Sequence, residues 1–341
     1  MSRFCLNPFI RAHLAAGGNV YVCCRSWMGI SLGNIFESDF SDIWNSETAK
    51  TVRESILDGS FRFCRGSVCP RIVTGEVERE TIPSKFKAAV ENKQWRLDTG
   101  PEHLSLNYDN SCNLHCKSCR KRIKAINDES AKRIIAFQDS LLDSDLFKGV
   151  HRVVVTGAGE PFASKVFMDF FQKLDESKHP QLKITLRTNG ILLTPENWER
   201  IKKAHYAIDA ILVSIDAARK KTYQILRPGG DFDKLLVNLE FLKRLKKNKN
   251  FKIGFNFVVQ EQNFREMSGF VKFARRLSCD EVTFTQLMDL GTYSREEYSR
   301  LAVHQPGHPQ FPKLKKILRQ SIFRSPIVFF NNLSHLLKDE K

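Results

Sequence analysis

Three cysteines within eight residues constrain this chain more than any other feature. A short alternating apolar run ends at Tyr108, and a polar loop that contains Cys112, Cys116 and Cys119 follows it directly. Three thiolates cannot satisfy a metal ion that needs four protein ligands. They can hold three irons of a [4Fe–4S] cube and leave the fourth iron open to bind and activate a ligand. The loop therefore predicts a reactive iron–sulfur centre.

Length and composition indicate a globular protein of about two domains. The 341 residues are 42% hydrophobic and 27% charged, and no apolar run approaches the ~18 residues that a membrane span needs. The N-terminus has no long apolar stretch of the secretory type, so we expect a cytoplasmic protein. Because cytoplasmic thiols stay reduced, the nine cysteines predict metal or catalytic use rather than disulfides.

The formal net charge of +16 at pH 7 raises the question of a nucleic-acid partner. Much of the excess lies in lysine-rich stretches such as 243–249 and 313–319, where apolar residues recur among the charges as on solvent-facing helices. We therefore do not expect nucleic-acid binding, and favour attraction to anionic substrates or partner proteins.

Residues 1–80 contain a second set of cysteines. Two glycines at 17–18 predict a tight hairpin that delivers Cys23, and an amphipathic helix is expected over 40–56. Four thiolates are enough for a closed iron–sulfur cluster or for a tetrahedral zinc site. The expected ligands are Cys5, Cys23, Cys64 and Cys69. Cys24 is the spare cysteine and an alternative to Cys23.

After a helical connection over 81–103, residues 104–300 alternate short apolar strands with helical segments. The expected strands are 104–108, 151–155, 182–187, 210–215, 252–259 and 281–285, and the expected helices lie near 129–142, 163–176, 195–204, 231–246 and 263–277. This alternation predicts the α/β class, with a parallel sheet and outer helices. Six units fit a partial (β/α)6 TIM-like barrel better than a closed eight-stranded one. Residues 301–341 are expected to form a basic C-terminal extension.

In such a barrel the reactive groups collect at the carboxyl ends of the strands. Glycines there let the backbone approach a ligand, and a glutamate accepts hydrogen bonds from an ammonium group. The candidate ligand-binding residues at these ends are Gly157, Gly159, Glu160, Asn189, Ser214, Asp216 and Arg227. The Gly-Lys-Ser/Thr of a phosphate-binding P-loop does not follow the glycines.

These motifs, in this order, resemble the radical S-adenosylmethionine (SAM) superfamily. The resemblance lies in Cys-x3-Cys-x2-Cys at 112–119, Gly-Ala-Gly-Glu-Pro at 157–161, Thr-Asn-Gly at 188–190 and Ser-Ile-Asp at 214–216. It implies the partial barrel, a SAM-binding [4Fe–4S] cluster on the loop cysteines, and reductive cleavage of SAM to a 5′-deoxyadenosyl radical. By resemblance, Glu160 holds the SAM amino group, Ser214 and Asp216 lie near the ribose or the substrate, and Arg227 lies near the SAM carboxylate. The residues alone also allow Asp216 to cap a helix and Arg227 to be a surface cation.

Residues 1–80 resemble the SPASM/twitch auxiliary-cluster module of that superfamily. The shared features are Gly-x4-Cys at 18–23, Gly-Asn-Ile at 33–35 and Ile-Trp-Asn-Ser at 43–46. The module departs from the family pattern because it precedes the catalytic domain and has cysteines for only one auxiliary [4Fe–4S] cluster. In the catalytic loop, Ser118 stands where the family commonly has an aromatic residue, which leaves the three ligands intact.

Cys279 has no cluster to serve. Some radical SAM epimerases use a cysteine to donate a hydrogen atom to the substrate radical, which makes Cys279 a candidate donor. Its position just before the sixth expected strand favours an inert buried thiol instead. His304 and His308 are close enough in sequence to share a metal, although a capping Pro/Gly-rich loop is the simpler interpretation.

The resemblance thus predicts a radical SAM enzyme, of the oxidoreductase or epimerase type, that abstracts hydrogen from a substrate C–H bond. The first-choice substrate is a small polar, sugar-like metabolite that is dehydrogenated or epimerised with help from the auxiliary cluster. The alternative is a maturase that forms a thioether or carbon–carbon crosslink in a peptide or protein. We expect the small molecule because no leader-binding segment precedes Cys5. A non-enzymatic zinc or nucleic-acid-binding protein is the third hypothesis, and the enzyme would need an external electron donor such as flavodoxin or ferredoxin.

Overall fold

The computed structural model describes residues 3–92 and 94–337. The chain divides into two compact units. The first consists of Met1–Asn110, Ile126–Ala158 and Lys165–Ile184, and the second of Ser111–Ala125, Gly159–Ser164 and Thr185–Lys341. The three-cysteine loop therefore belongs to the second unit and the cysteine-rich N-terminal segment to the first. Within the described residues, no helix is long and apolar enough to cross a membrane.

The first unit contains the N-terminal hairpin and the first two strands of the expected barrel. Its strands are β1 (Arg11–Ala15), β2 (Asn19–Tyr21), β3 (Gly33–Asn34), β4 (His103–Asn107) and β5 (Arg152–Val155). Its helices are α1 (Asn7–Ile10), α2 (Phe40–Trp44), α3 (Glu47–Leu57), α4 (Pro70–Val73), α5 (Ser84–Glu91), α6 (Asp128–Asp143), α7 (Asp145–Lys148) and α8 (Lys165–Lys173). β2 pairs antiparallel with both β1 and β3, whereas β4 pairs parallel with both β1 and β5. The expected hairpin is confirmed, with φ of 81° at Gly17 and 84° at Gly18.

The prediction of a single helix over 40–56 is wrong, because two helices, α2 and α3, occupy this stretch. Ser46 caps α3 by accepting a hydrogen bond from the Ala49 N–H. Asn45 turns its side chain to the connecting segment, where it bonds both the N–H and the carbonyl of Leu97. Asn and Ser favour such caps and turns over helix interiors, and here they break the helix.

The second unit contains most of the remaining parallel strands. Its strands are β6 (Lys183–Thr188, whose first two residues belong to the first unit), β7 (Ile208–Ser214), β8 (Lys252–Val259), β9 (Glu281–Gln286) and β10 (Val328–Phe330), which neighbour one another in this order. Its helices are α9 (Pro195–Arg200), α10 (Lys220–Leu226), α11 (Phe232–Asn248), α12 (Met267–Arg276), α13 (Arg295–Leu301) and α14 (Phe311–Leu318). The rings of Phe257 on β8 and Phe284 on β9 pack against each other at 5.3 Å, and Phe270 of α12 lies 4.8 Å from Phe257. These aromatic contacts fix α12 against the strands.

The predicted α/β class with parallel strands is confirmed. All six expected strands are present, each within two residues of its expected bounds. The sequence did not predict β10, which pairs parallel with β9 from within the C-terminal extension, with Phe330 opposite Phe284. A strand of three residues is too short to show a clear alternating pattern.

Candidate active site

Backbone hydrogen bonds within the second unit fix the three-cysteine loop. The Cys112 N–H donates to the Lys124 carbonyl at 2.9 Å and closes the base of the loop. Two further N–H groups of the loop donate to carbonyls in the segment 226–228. At the tip, the Cys119 N–H donates to the Cys116 carbonyl at 2.9 Å and forms a tight turn. The three sulfur atoms are therefore presented by a constrained backbone.

The three thiols influence one another electrostatically. Burial raises the pKa of Cys116, and negative charge on Cys112 and Cys119 raises it further. Burial also raises the pKa of Cys112. In Arg120, burial lowers the pKa, but the sulfurs of Cys119, Cys112 and Cys116 outweigh this effect and leave the pKa above its usual value. One guanidinium thus lies close enough to interact with all three sulfurs.

Each of the three sulfurs has a side-chain nitrogen directed at it. The nitrogen-to-sulfur distances are 3.8 Å from Asn189 Nδ2 to Cys112, 3.7 Å from Arg227 Nη1 to Cys116, and 3.3 Å from Arg120 Nη2 to Cys119. N–H donors and cations of this kind stabilise thiolates over thiols. Arg120 and Arg227 accordingly lower the pKa of Cys112 and Cys116, respectively, but burial outweighs them and leaves both pKa values above their usual range.

Glu160 lies in the second unit beside this loop, fully buried. Its N–H donates to the Ser111 carbonyl at 2.7 Å, next to the first loop cysteine. Its carboxylate accepts hydrogen bonds from the Thr188 hydroxyl at 2.7 Å and from the Asn189 N–H at 2.6 Å. Burial nevertheless raises the pKa of Glu160 to about 7. A nearby cationic ligand would remove much of that desolvation penalty.

Asp216 and Arg227 form a buried ion pair, with 2.6 Å between Oδ2 and Nη2. The Arg227 Nε also donates to the Ile215 carbonyl at 3.1 Å. Although burial lowers the pKa of Arg227, Asp216 holds it above its usual value. Arg227 is thus not a surface cation, and Asp216 is not a helix cap, since Arg219 occupies the N-cap of α10.

Asn263 is a site residue that the sequence did not predict. It is fully buried, and its Nδ2 donates to the carbonyls of Asp216 and Val258, each at 2.8 Å. The Val258 N–H does not bond Asn263 but donates to Asp216 Oδ1 at 2.8 Å. Asn263 thereby fixes the turn that presents the Asp216 carboxylate. The only sequence signal is a polar residue before an apolar helix, a pattern that many turns share.

The remaining candidates occupy less distinctive positions. Ser214 ends β7, is half-buried and lies opposite Asn256 of β8. Gly159 belongs to the second unit with Glu160, whereas Gly157 is exposed and belongs to the first unit.

The four N-terminal cysteines lie in the first unit and also interact with one another. Burial raises the pKa of Cys5 to about 12 and that of Cys64 to about 11, and in both the charge of Cys23 adds to the rise. Burial raises the pKa of Cys23 itself, with a further contribution from Cys69. Cys23 is therefore electrostatically coupled to all three other expected ligands.

Cys279 lies just before β9 and is buried. Its Sγ–H donates to the Glu281 carbonyl at 2.9 Å, and burial raises its pKa to about 12. These features of Cys279, a protonated and hydrogen-bonded thiol at the amino end of a strand, are typical of an inert structural cysteine. His308 bonds the Arg300 carbonyl through Nε2 at 2.8 Å and accepts the Gln310 N–H through Nδ1 at 3.0 Å, so both its ring nitrogens are engaged.

Within the described part of the chain, no three His, Cys, Asp or Glu side chains converge as the ligands of a single metal ion would. A [4Fe–4S] cube is held differently, because each thiolate binds its own iron and the sulfurs stay farther apart than ligands of one ion.

Two family models match the chain. The model of the radical SAM superfamily matches residues 106–274, and the model of SPASM, an iron–sulfur cluster-binding domain, matches residues 5–71. The chain belongs to the radical SAM superfamily. The matched ranges of this radical SAM enzyme contain both cysteine sets, so the expected N-terminal auxiliary-cluster module is confirmed as a SPASM domain.

Curated relatives are about a quarter identical to this radical SAM enzyme over the aligned residues. The AdoMet-dependent heme synthase of Methanosarcina barkeri is 25% identical over 53% of this chain, and the match spans 49% of that relative's length. A probable GTP 3′,8-cyclase of Saccharolobus islandicus is 25% identical over 68% of this chain and 72% of its own. The chain thus spans only about half the length of the first of these relatives.

Solved structures show a partial likeness to this chain. Streptococcus suis SuiB, bound to its precursor peptide SuiA, covers 85% of this chain and 64% of its own, at 16% identity and a TM-score of 0.49. A radical SAM methyltransferase from Sphaerobacter thermophilus covers 65% and 63%, at 17% identity and a TM-score of 0.42. Because both TM-scores are below 0.5, the family assignment depends on the family models.

The enzyme's cofactors are SAM, a SAM-binding [4Fe–4S] cluster and an auxiliary iron–sulfur cluster. The donor sets of the structure suit these groups. Three constrained cysteines in the second unit suit a cluster with one open iron, and four coupled cysteines in the first unit suit a closed one. The buried carboxylate of Glu160 suits an ammonium group.

Proposed function

We propose that this enzyme reductively cleaves SAM at a cluster held by Cys112, Cys116 and Cys119, and that the resulting radical abstracts hydrogen from a substrate C–H bond. The observation that carries the proposal is the set of three thiols in one constrained loop, each with its own nitrogen donor. When bound, the cluster supplies the electron that splits SAM into methionine and a 5′-deoxyadenosyl radical. An external donor such as flavodoxin or ferredoxin delivers that electron.

The chain's own residues bind and orient SAM in this proposal. Glu160 accepts hydrogen bonds from the SAM ammonium, which offsets the cost of burying its carboxylate. Both oxygens of Asp216 already accept hydrogen bonds, so Asp216 acts by positioning Arg227. Arg227, which contacts Cys116, would supply positive charge to the SAM carboxylate. Ser214, at the end of β7, would lie near the ribose or the substrate.

The auxiliary cluster is assigned to Cys5, Cys23, Cys64 and Cys69. The support is the electrostatic coupling of Cys23 to the other three thiols. With four protein ligands the cluster has no open iron, so it suits electron transfer rather than SAM binding. When bound by these four cysteines, the cluster would supply an electron acceptor for the substrate radical, and the net reaction would then be an oxidation.

For the substrate we propose a peptide or protein that acquires a thioether or carbon–carbon crosslink. Support comes from the loop after β9, which exposes Met288 and Leu290 at 38% and 60%. In the same loop, the pKa of Tyr293 is raised to about 12 by burial and by the charges of Asp216 and Cys116, among others, so the loop adjoins the site. Exposed apolar side chains beside a site suit a ligand with apolar side chains of its own. The sequence favoured a small metabolite over a peptide, and this proposal reverses that preference.

A small polar metabolite, dehydrogenated or epimerised, is the second candidate. It is favoured by the names of the curated relatives, a heme synthase and GTP 3′,8-cyclases, which refer to small molecules. Two incubations of the enzyme with SAM and a reductant separate the two candidates. One contains a short precursor peptide encoded near this gene, and the other contains a pool of small metabolites. Mass loss of two hydrogens in the peptide supports the first candidate, and an altered metabolite supports the second.

Anaerobic purification tests the reaction itself. The expected protein is brown, holds about eight irons and, with dithionite, converts SAM to 5′-deoxyadenosine. The Cys116→Ala variant should lose this conversion, while Lys121→Ala, an exposed change in the same loop, should keep it. A colourless protein with stoichiometric zinc after anaerobic reconstitution would overturn the proposal.

A further inference from the structure

Arg120 follows the last loop cysteine directly, and only 8% of it is exposed. Two of its nitrogens point at one sulfur, with Nε 3.4 Å and Nη2 3.3 Å from Cys119 Sγ. A charged side chain buried next to a cysteine is costly unless its charge is used. Cys119 is the most exposed of the three loop cysteines, so this paired donation holds the one sulfur that water reaches most easily.

Arg120 has the shortest nitrogen-to-sulfur contacts among the three donors of the loop. Asn189 approaches Cys112 at 3.8 Å and carries no charge, whereas Arg227 approaches Cys116 at 3.7 Å with its charge offset by Asp216. The charge of Arg120 also interacts with all three loop sulfurs. Arg120 therefore makes the closest charged contact with a sulfur of the loop.

Reduction adds one electron, and so one negative charge, to a cluster and breaks no bond. Hydrogen bonds and cations at the ligating sulfurs stabilise that added charge and raise the reduction potential. We propose that Arg120 is a positioning residue that raises the reduction potential of the SAM-binding cluster through Cys119. The inference rests on the proposed role of the three cysteines as cluster ligands. The electron comes from an external one-electron donor, and Arg120 widens the range of donors that can deliver it.

The test is a redox titration of anaerobically reconstituted, full-length protein without SAM, followed by electron paramagnetic resonance. The signal that changes shape when SAM is then added identifies the loop cluster. At the potential that half-reduces this cluster in wild type, Arg120→Gln should show an about tenfold lower ratio of reduced to oxidised cluster, the size expected for one charge-assisted hydrogen bond. Arg120→Lys keeps the charge but loses the paired donors. Its ratio of reduced to oxidised cluster should therefore lie between those of wild type and Arg120→Gln. Lys121→Gln, an exposed cation next in the chain, should match wild type.

The outcomes separate the inference from the proposed function. An unchanged midpoint in Arg120→Gln with full iron content overturns the inference. A loss of iron in Arg120→Gln, with an unchanged midpoint for the loop cluster that still assembles, also overturns the inference. That result would mean that Arg120 only supports the structure of the loop. If Arg120→Gln assembles no cluster, Arg120→Lys decides: a midpoint below wild type supports the inference, and an equal one overturns it. A SAM-sensitive signal that persists in Cys116→Ala instead overturns the proposed function.

Discussion

Arg227 and Asp216 are joined by a 2.6 Å ion pair with less than a tenth of either side chain exposed. Asp216 adopts a φ of 63°, in the left-handed region, which costs a non-glycine residue about 1–3 kcal/mol. Hydrogen bonds hold this conformation, because its Oδ1 accepts from the Val258 N–H and its carbonyl accepts from Asn263. A strained backbone kept in place by three neighbours is a feature of sites that must present a group accurately.

Removing Asp216 should leave a buried, uncompensated guanidinium. We expect Asp216→Ala to lower the free energy of unfolding by about 3–5 kcal/mol. The measurement is urea unfolding of protein with matched iron content. Asp145→Ala is the control, since Asp145 pairs with Lys148 on the surface and its loss should have no measurable effect. Equal shifts in the two variants would contradict a buried ion pair.

The sequence predicted those features that depend on local pattern. The six strands follow from alternating apolar residues, and the loop at 112–119 follows from cysteine spacing alone. The contacts between site residues could not be predicted from the sequence. Asp216 and Asn263, for example, are 47 residues apart in the chain and meet only when the strands pair. Arg120 was overlooked because lysines and arginines around it are exposed, and nothing local marks one of them as buried.

Binding of SAM should depend on pH through Glu160. The pKa of about 7 means that below this pH the free enzyme holds a neutral carboxyl, which must lose its proton to pair with an ammonium. We expect SAM affinity to weaken about tenfold per pH unit from pH 7 down to 5.5. The ammonium of SAM stays protonated throughout this range. Equilibrium dialysis with oxidised enzyme measures it.

Glu160→Gln should bind SAM more weakly and show no such slope between pH 5.5 and 7. Exposed Glu196→Gln should keep the wild-type slope. The same raised pKa stabilises the fold at low pH: the neutral carboxyl contributes fully below about 4.5, and the contribution is lost as pH rises through about 7. A wild-type affinity that is flat over this range would show that Glu160 does not bind the ammonium.

Cys23, rather than its neighbour Cys24, should be the auxiliary ligand. The charge of Cys23 raises the pKa of both Cys5 and Cys64, and its Sγ accepts the Asn7 amide at 4.0 Å. Cys23→Ser should therefore lose about half of the iron, as Cys64→Ala should, because one of two four-iron clusters is lost. Cys24→Ser should keep the full content. Iron analysis together with the SAM-sensitive resonance signal measures this, and the reverse pattern would assign the ligand to Cys24.

Arg53 should be the main polar support of the SPASM domain. It is fully buried, lies 4.4 Å from the ring of Trp44, and donates to the carbonyls of Pro8 at 3.0 Å and Trp95 at 3.1 Å. Burial lowers its pKa to about 9, so it is charged at neutral pH and each carbonyl bond is charge-assisted.

Arg53→Met keeps the length of the side chain but removes the donor to the buried Pro8 carbonyl and to the partly buried Trp95 carbonyl. We expect it to lower the free energy of unfolding by about 3 kcal/mol or more, and Arg53→Lys to recover only part of it, since an ammonium cannot reach both carbonyls as a planar fork does. Arg62→Met, at an exposed ion pair with Asp58, should leave stability unchanged. Thermal unfolding monitored by the release of auxiliary-cluster iron measures all three variants. If Arg53→Met unfolds at the same temperature as wild type, the hydrogen bonds from Arg53 to these carbonyls do not stabilise the SPASM domain.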